Sequence, residues 1–265
     1  MSTIAILVGE AWAVAATLQL VLWAVQQRTR NGGIVDVGWA LSFALVIALF
    51  AWRAGAPVAS WAPIALVTGA WSLRLGGYLI ARGAARAPED GRYADLRARW
   101  GAGAAVRFFV FFQAQAALTG VLSIAFVVPF VAVPCDSGWL RAMGTALSVI
   151  GIAGEATSDA QLAGWKRTHH GKVCDAGLWG WSRHPNYFFE WCVWLGHAVY
   201  GLAFYPDGLI ALLPQAIILS SILFVTGIPA TESQALRSKG DAYRAYQKRV
   251  SKLIPMPPKP RSPDV

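Results

Sequence analysis

Long apolar stretches separated by short polar segments dominate the hydrophobic pattern of the chain. Each stretch has about the 20 residues that an α-helix needs to cross the hydrocarbon core of a bilayer. The pattern therefore predicts an all-α integral membrane protein with seven transmembrane helices, built as a single domain over residues 1–265. The predicted spans are residues 4–26, 34–53, 61–81, 107–133, 139–163, 187–205 and 208–230, followed by a cytoplasmic tail at 231–265.

Composition agrees with a membrane protein. Of the 265 residues, 56% are hydrophobic and only 14% are charged, and 13 are Trp. The mean hydropathy is +0.46, which excludes an ordinary soluble globular domain. The first apolar stretch lacks a basic segment before it and is longer than the core of a signal peptide, so we expect it to stay in the protein as a span.

The distribution of Lys and Arg predicts the orientation, because these residues accumulate in cytoplasmic loops. With the N-terminus outside, 20 of them fall on inside segments, including the eight from Arg237 to Arg261. Only Arg53 and Arg141 fall on outside loops. The net charge of +9 is therefore mainly a signal of topology, with the C-terminus in the cytoplasm. Since the cations are dispersed and no recognition motif accompanies them, we expect no nucleic-acid partner.

The polar segments carry few local motifs. A short cytoplasmic helix is predicted over residues 89–99, and the tail reads as one or two amphipathic helices broken near Gly240. No glycine-rich nucleotide loop is present, so any nucleotide must bind to the helical bundle itself. The spacing of Cys135, Cys174 and Cys192 predicts neither a disulfide framework nor a metal site.

Six acidic or cationic residues in the predicted spans require an explanation. Each costs about 2.5 to 3.5 kcal/mol at the bilayer centre, so each requires a partner or a function. They are Glu10, Asp36, Arg74, Glu155, Asp159 and Glu190. The spacing of Glu155 and Asp159 places both on one helix face, which we expect to point into the bundle. Buried ion pairs account for two or three of the six, whereas the six together favour a polar functional cavity open to the cytoplasm.

The third span carries Arg74, Tyr78 and Arg82 at four-residue steps, and Arg86 continues the stripe. A row of guanidinium groups suits a ligand with several phosphates. The alternative interpretation is that the side chains reach for the membrane surface, which explains Arg82 and Arg86 but not Arg74.

The segment GLWGWSRHPNYFFE, residues 177–190, places a polar cationic cluster against the start of an apolar helix predicted from about Tyr187. A helix N-terminus with cationic donors favours an anionic ligand. The alternative is an ordinary basic loop beside the membrane. Donors for phosphate and amide groups are Arg183, His184, Asn186 and Tyr187, and Pro185 stiffens the turn.

Four motifs resemble the steroid 5α-reductase superfamily, in particular its bacterial multi-pass membrane branch. They are WSLRLGGYLIARG, EDGRYADLRARWG, GLWGWSRHPNYFFE and DAYRAYQKRVSKLIP, and the resemblance extends from about Asp36 to Pro255. The RHPNY core is also similar to sterol reductases and, more distantly, to isoprenylcysteine carboxyl methyltransferases.

The resemblance implies an NADPH-dependent reductase of the bacterial inner membrane. Its substrate would be a 3-oxo-4-ene steroid or a similar lipid enone that enters from the bilayer. A monomer without a metal ion is expected, with membrane lipid as its surroundings. The resemblance further implies that Asn186 and Glu190 hold the nicotinamide end of NADPH. Other implied cofactor contacts are Arg74, Arg82, Arg86, Glu155, Asp159, Lys166, Lys172, Arg183, His184, Tyr187, Glu232, Tyr243 and Tyr246.

The same resemblance implies a catalytic group that polarises the keto oxygen. Asp36 stands where steroid 5α-reductases carry a Glu, and Trp71 lies near the position of their Tyr. Because an indole offers only an N–H, Tyr78 is an alternative second donor. Two other functions remain open: an S-adenosylmethionine-dependent methyltransferase and a non-enzymatic lipid-binding or transport protein. The arginine stripe favours a cofactor with several phosphates and therefore disfavours the methyltransferase. The lack of an internal repeat disfavours a transporter.

Overall fold

The computed structural model describes residues 2–86, 88–135, 138–225 and 227–260. These residues form α-helices, short 3₁₀ helices and one π-helix at Ser221–Val225, without a β-strand among them. The helices are α1 (Thr3–Thr29), α2 (Ile34–Trp52), α3 (Val58–Ala81), α4 (Gly91–Trp100), α5 (Ala104–Leu122), α6 (Ile124–Val127), α7 (Trp139–Thr168), α8 (Pro185–Leu202), α9 (Leu212–Ser220) and α10 (Ile228–Arg249). The end of the predicted tail at 261–265, with Arg261, lies outside the described residues.

Five helical segments of the described chain are long and apolar enough to cross a membrane, as expected for a multi-pass membrane protein. They are Thr3–Thr29, Ile34–Trp52, Val58–Ala81, Gly91–Phe130 and Asp207–Arg249. The helices α7 and α8, which cover the predicted spans 139–163 and 187–205, are not in this set. Ionisable residues lie within both helices, Glu155 and Asp159 on α7 and Glu190 and His197 on α8.

The chain divides into two compact units. The first comprises residues 1–141 and 200–214, and the second comprises residues 142–199 and 215–265. Both units are discontinuous in sequence. In the first unit α1 packs against α2 and α5, and α2 packs against α3.

Aromatic side chains fill the interior of the first unit. Phe43, Phe50, Phe126 and Phe130 are fully buried, and neighbouring rings meet mostly edge to face at centroid distances of 5.3 to 6.3 Å. This geometry is the one that aromatic quadrupoles favour. Rigid ring packing therefore holds α2 and α3 against the segment at 124–130.

Close packing of α7 on α8 organises the second unit. A Cβ atom at Gly151 would lie 2.7 Å from the carbonyl oxygen of Phe189, and one at Gly154 would lie 2.2 Å from a Phe189 ring carbon. Only glycine lets the two helices approach this closely.

Two predictions from the polar segments are confirmed. The helix α4 lies where a short helix was predicted over 89–99. Gly240 interrupts α10 with φ 52° and ψ −126°, which is the predicted break. The helix predicted from about Tyr187 begins two residues earlier, at Pro185. Proline is suited to the first turn of a helix, because backbone N–H groups there form no hydrogen bond within the helix.

Candidate functional site

Asp36, a carboxylate of the first unit, accepts hydrogen bonds from two side chains of α4. It lies in the first turn of α2, and its Oδ1 accepts a 2.6 Å hydrogen bond from the hydroxyl of Tyr93. Its Oδ2 accepts a 3.1 Å hydrogen bond from Nη2 of Arg92. The carboxylate is 22% exposed and the Arg92 side chain 50%, so one oxygen faces a buried hydroxyl and the other an accessible cation.

Tyr93 reaches Asp36 because α4 is docked on the unit through an apolar cluster. The tyrosine is 3% exposed and packs with Val35, Phe108 and Phe112. Asp90 caps the start of α4 by accepting the backbone N–H of Arg92, and it also accepts from the guanidinium of that residue. The cap and the cluster together fix where the Tyr93 hydroxyl lies.

A second ion pair, between Glu89 and Arg97, stabilises the segment that contains α4. Nε and Nη2 of Arg97 donate to the two oxygens of Glu89 at 3.1 and 2.8 Å, and Glu89 also accepts the N–H of Gly32 at 2.6 Å. Burial by itself would raise the pKa of Glu89, but the hydrogen bonds from Arg97 and Gly32 outweigh it and leave that pKa lowered. The guanidinium of Arg97 also lies over the ring of Phe108, 4.6 Å from its centroid.

Aromatic side chains follow Asp36 on the same face of α2. Trp39 and Phe43 are three and seven residues further on, and both meet the ring of Trp71 edge to face at 6.0 and 5.4 Å. Trp71 is 1% exposed, so this candidate for the second donor lies inside the aromatic cluster. These rings pack on one another and hold α2 against α3 next to the acidic group.

The arginine residues of the predicted stripe on α3 differ in solvent exposure. Arg74 is partly buried, whereas Arg82 and Arg86 are exposed. Arg82 is the C-cap of α3 and Arg86 lies in the turn beyond it, so the predicted helical stripe ends at Arg82. The guanidinium of Arg82 lies 5.8 Å from the centroid of the Tyr78 ring, so Tyr78, the alternative second donor, is next to a cation. The two exposed guanidinium groups can reach an anion without losing a buried partner.

Of the charges predicted within the spans, Glu10 has a structural explanation. Its carboxylate pairs with Arg53 at 3.0 Å, and both side chains are more than one-third exposed. An exposed pair of this kind contributes little to stability. The pair explains why Glu10 is present in a predicted span, so no functional cavity is needed to explain this residue.

Glu232 is the centre of the polar network in the second unit. Its Oε1 accepts from Nε of Arg183 at 2.7 Å and lies 3.2 Å from Nε2 of His184. The hydroxyl of Tyr243 lies 3.5 Å from the same oxygen, and Oε2 accepts from Gln247 at 2.8 Å. The structure therefore brings together Arg183, His184, Glu232 and Tyr243, all predicted cofactor contacts.

Arg183 is also bonded to the end of α10. Its Nη1 donates to the carbonyl oxygens of Gln247 and Val250 at 3.0 and 2.7 Å, which supplies partners to the last turn of that helix. Tyr246, another predicted contact, donates to the carbonyl of Trp179 at 2.5 Å. In this arrangement the two side chains join the RHPNY segment to the tail.

His184 is almost completely buried. Burial lowers its pKa, and the neighbouring Glu232 carboxylate only partly offsets that effect. Its ring stacks on that of Tyr187 at 5.5 Å, and the Tyr187 hydroxyl lies 3.1 Å from Oγ1 of Thr231. The His184 imidazole is therefore neutral and packed between Glu232 and the ring of Tyr187.

The remaining predicted contacts of the second unit differ in exposure. Glu155 and Asp159 are 4% and 5% exposed, which confirms that their shared face of α7 points inward. Asn186 and Glu190 lie partly buried in the first two turns of α8. Lys166 and Lys172 are exposed.

A groove of about 760 Å³ runs along α7 in the second unit. Its floor follows one helix face from Ile150 to Gln161, and its opposite wall includes Leu178, Trp181 and Phe189. Most of its lining is apolar, so the segment 177–190 borders a hydrophobic groove as well as the polar network around Glu232.

Among the residues the structure describes, no three or more His, Cys, Asp or Glu side chains are grouped to hold a metal ion. Cys135, Cys174 and Cys192 are free thiols.

Three interacting residues were missed by sequence reasoning: Arg92, Tyr93 and Gln247. Arg92 and Tyr93 belong to the motif EDGRYADLRARWG, but no pattern in the sequence relates them to Asp36, 56 and 57 positions away. A clue was available in Asp90, a typical helix cap, which places Tyr93 within the first turn of α4.

A family model described as protein of unknown function (DUF1295) matches residues 22–250 of the chain. No curated protein and no solved structure shows a significant match.

Proposed function

This chain belongs to the DUF1295 family, and we propose from its own residues that it is an NADPH-dependent reductase of the bacterial inner membrane. Its substrate is a lipid enone such as a 3-oxo-4-ene steroid, reduced at the carbon–carbon double bond. The chain crosses the membrane seven times, with its N-terminus outside and its C-terminus in the cytoplasm. The 20 inside cations against two outside support this orientation.

One observation carries the proposal. Asp36 is held by Tyr93 and Arg92 at the start of a strongly apolar helix, and the aromatic residues Trp39 and Phe43 follow it on the same face. In the proposed reaction Asp36 takes up a proton, gives up its contact with Arg92 and donates a hydrogen bond to the keto oxygen, while the partly buried ring of Trp39 contacts a flat hydrophobic skeleton. Polarisation of the carbonyl makes the β-carbon of an enone electrophilic.

The residues that would hold NADPH fit a polyanionic ligand in part. The exposed guanidinium groups of Arg82 and Arg86 are suited to its phosphates, because they can form paired hydrogen bonds without breaking a buried contact. Arg183 is committed to Glu232 and the end of α10, so its predicted phosphate contact would depend on Nη2. When bound, NADPH would supply the hydride.

The proposal predicts that purified protein oxidises NADPH only when a 4-ene-3-oxo steroid or a related enone is added. Asp36→Asn keeps the size of the side chain but removes the acid, so turnover should fall by at least about 100-fold while NADPH binding persists. Asp95→Asn, an exposed carboxylate on α4, is the matched control and should keep full activity. Binding of S-adenosylmethionine instead of NADPH would favour the methyltransferase alternative and end this proposal.

A further inference from the structure

The groove along α7 has the length of a lipid acyl chain. Its floor runs from Ile150 to Gln161, which is about 16 Å at a helical rise of about 1.5 Å per residue. The hydrocarbon of one bilayer leaflet is about 15 Å thick. Ala153 and Thr157 in the floor are exposed, so the groove opens to the surface of the second unit. Its length and its apolar lining therefore match one extended acyl chain lying along the helix.

Packing contacts shape the groove before any ligand binds. Gly154 has no side chain and lies in the floor beside the ring of Phe189, which belongs to the opposite wall. At one end Oε1 of Gln161 accepts the backbone N–H of Leu178 at 2.9 Å, which joins the floor to the wall. The volume of about 760 Å³ is in the range of preformed ligand sites.

An extended segment of the C-terminal tail borders the same groove. Pro255 lines it together with Trp181, and the backbone N–H of Met256 donates to the carbonyl oxygen of Trp181 at 3.0 Å. Leu253 is buried, whereas Ile254 and Met256 are each 56% exposed and Trp181 is 49% exposed. Because tryptophan is enriched where lipid head groups meet hydrocarbon, this end of the groove is suited to that depth of the membrane.

Cations lie on both sides of Pro255 at this end of the groove. Lys252 and Lys259 are exposed, three residues before and four residues after the proline. The backbone N–H of Lys259 donates to the carbonyl oxygen of Arg249 at 3.0 Å, so the tail is held against the end of α10. Residues 242–263 contain six Lys or Arg residues and no Asp or Glu. This excess of positive charge favours an anionic lipid head group.

We propose that the groove binds a bilayer phospholipid with an anionic head group. One acyl chain lies along α7, and the phosphate contacts Lys252 and Lys259 at the end that Trp181 borders. A lipid bound there holds α7, the segment before α8 and the tail together, so it stabilises the second unit. The site is independent of the proposed reductase activity, although α7 must cross the membrane as proposed.

Native mass spectrometry of the detergent-solubilised protein counts the bound lipids. The probes are phosphatidylglycerol and phosphatidylcholine with identical acyl chains. The unmodified protein should bind one phosphatidylglycerol at least about tenfold more tightly than phosphatidylcholine, because two lysines meet the anionic head group. Phosphatidylglycerol should also raise the melting temperature of the protein.

Ala153→Phe tests the position of the acyl chain, since the added ring occupies the exposed floor of the groove. Affinity for phosphatidylglycerol should fall by at least about tenfold, because displacing even two methylene groups from an apolar site costs about that factor. The lipid should then no longer raise the melting temperature. If Ala153→Phe does not fold, Thr157→Phe serves in its place, since the Thr157 hydroxyl donates within α7 to the carbonyl oxygen of Ala153.

Ala146→Phe is the matched control for the added ring. Ala146 is also exposed on α7 but lies one turn before Ile150, outside the groove. The same substitution there should leave the binding of phosphatidylglycerol unchanged.

Two further variants test the head-group contact. Lys252→Gln and Lys259→Gln should each lower the affinity for phosphatidylglycerol about fivefold and change that for phosphatidylcholine little. Arg237→Gln removes an exposed cation from the first half of α10 and should leave both affinities unchanged.

Unchanged binding of phosphatidylglycerol in Ala153→Phe would overturn the proposal, since the lipid would then lie elsewhere on the protein. Equal affinities of the unmodified protein for the two lipids would overturn it as well, because the lysines would have no role. A lipid-free dimer that Ala153→Phe separates would show that a second copy of the chain covers the groove instead. None of these measurements uses NADPH or an enone, so failure of the reductase proposal is recognised separately.

Discussion

Arg183 donates its Nε hydrogen to Oε1 of Glu232 across 2.7 Å, and this pair joins the segment before α8 to the first half of α10. The two side chains are only 11% and 14% exposed. Because His184 and Gln247 contact the same carboxylate, loss of Glu232 would leave several polar groups of the second unit without their acceptor.

Glu232→Ala should therefore lower the free energy of unfolding by about 3 kcal/mol, since it leaves the Arg183 guanidinium without its buried counter-charge. The melting temperature of the detergent-solubilised protein measures the effect. Asp241→Ala on the same helix is the control: its carboxylate is 94% exposed, and its pair with Arg244 should contribute within about 0.5 kcal/mol. Equal melting temperatures for the two variants would contradict a supporting role for Glu232.

A side chain at Gly240 should be destabilising because of the backbone conformation at this residue. Its φ of 52° lies in the region that favours glycine, and no atom is within 4 Å of a Cβ built there. Gly240→Ala should cost about 1 to 2 kcal/mol of stability through strain alone. Gly164→Ala in α7 also has open space but lies within a helix, so it should be neutral or stabilising by a few tenths of a kcal/mol. Thermal unfolding of both variants in the same detergent tests the contrast.

Gly154→Ala should destabilise the second unit by overpacking. The added methyl group would lie 2.2 to 2.4 Å from ring carbons of Phe189, so α7 and α8 would have to move apart. This overpacking should lower the free energy of unfolding by about 1 to 3 kcal/mol. Phe189→Leu removes the planar ring and should be partly compensated by the new methyl group in the double variant. A double-mutant cycle of melting temperatures measures this coupling, and strict additivity would show that the two residues do not meet.

The Glu89–Arg97 pair should make stability depend on pH in the acid range. Because the pKa of Glu89 is lowered below its ordinary value of 4.5, its contribution is fully present above that value and is lost as pH falls through the folded-state pKa. Glu89→Gln should therefore unfold at a lower temperature than the unmodified protein at pH 6. The difference should shrink as pH drops below about 4.5. A difference that stays constant over this range would show that the charge of Glu89 is not responsible.

Arg86→Ala should weaken NADPH binding by about tenfold and NADH binding less, since an exposed guanidinium in the turn after α3 is suited to the additional phosphate of NADPH. Equilibrium binding followed by nicotinamide fluorescence compares the two cofactors. Arg167→Ala removes an exposed cation outside the expected cofactor contacts and should leave both affinities unchanged. Equal weakening for both cofactors would remove Arg86 from discrimination of the phosphate.

Local signals in the sequence determined much of this protein. Runs of apolar residues are sufficient to predict membrane helices, because a helix in lipid satisfies its own backbone hydrogen bonds and its length is set by the bilayer. The i, i+4 spacing of Glu155 and Asp159 predicted a common buried face, and Gly240 predicted a break, since helical periodicity and backbone sterics are local properties. The family match over residues 22–250 rests on the same linear information.

Tertiary structure alone decided which side chains meet across the chain. Tyr93 contacts Asp36 from 57 positions away, and Glu232 contacts Arg183 from 49 positions away. Such pairs depend on how α4 docks on α5 and how α10 folds back on the RHPNY segment, and these arrangements are set by packing of side chains that are distant in sequence. The sequence therefore singled out Asp36 and Arg183 as candidate functional residues, whereas folding selected the partners that each of them contacts, because such contacts depend on tertiary packing.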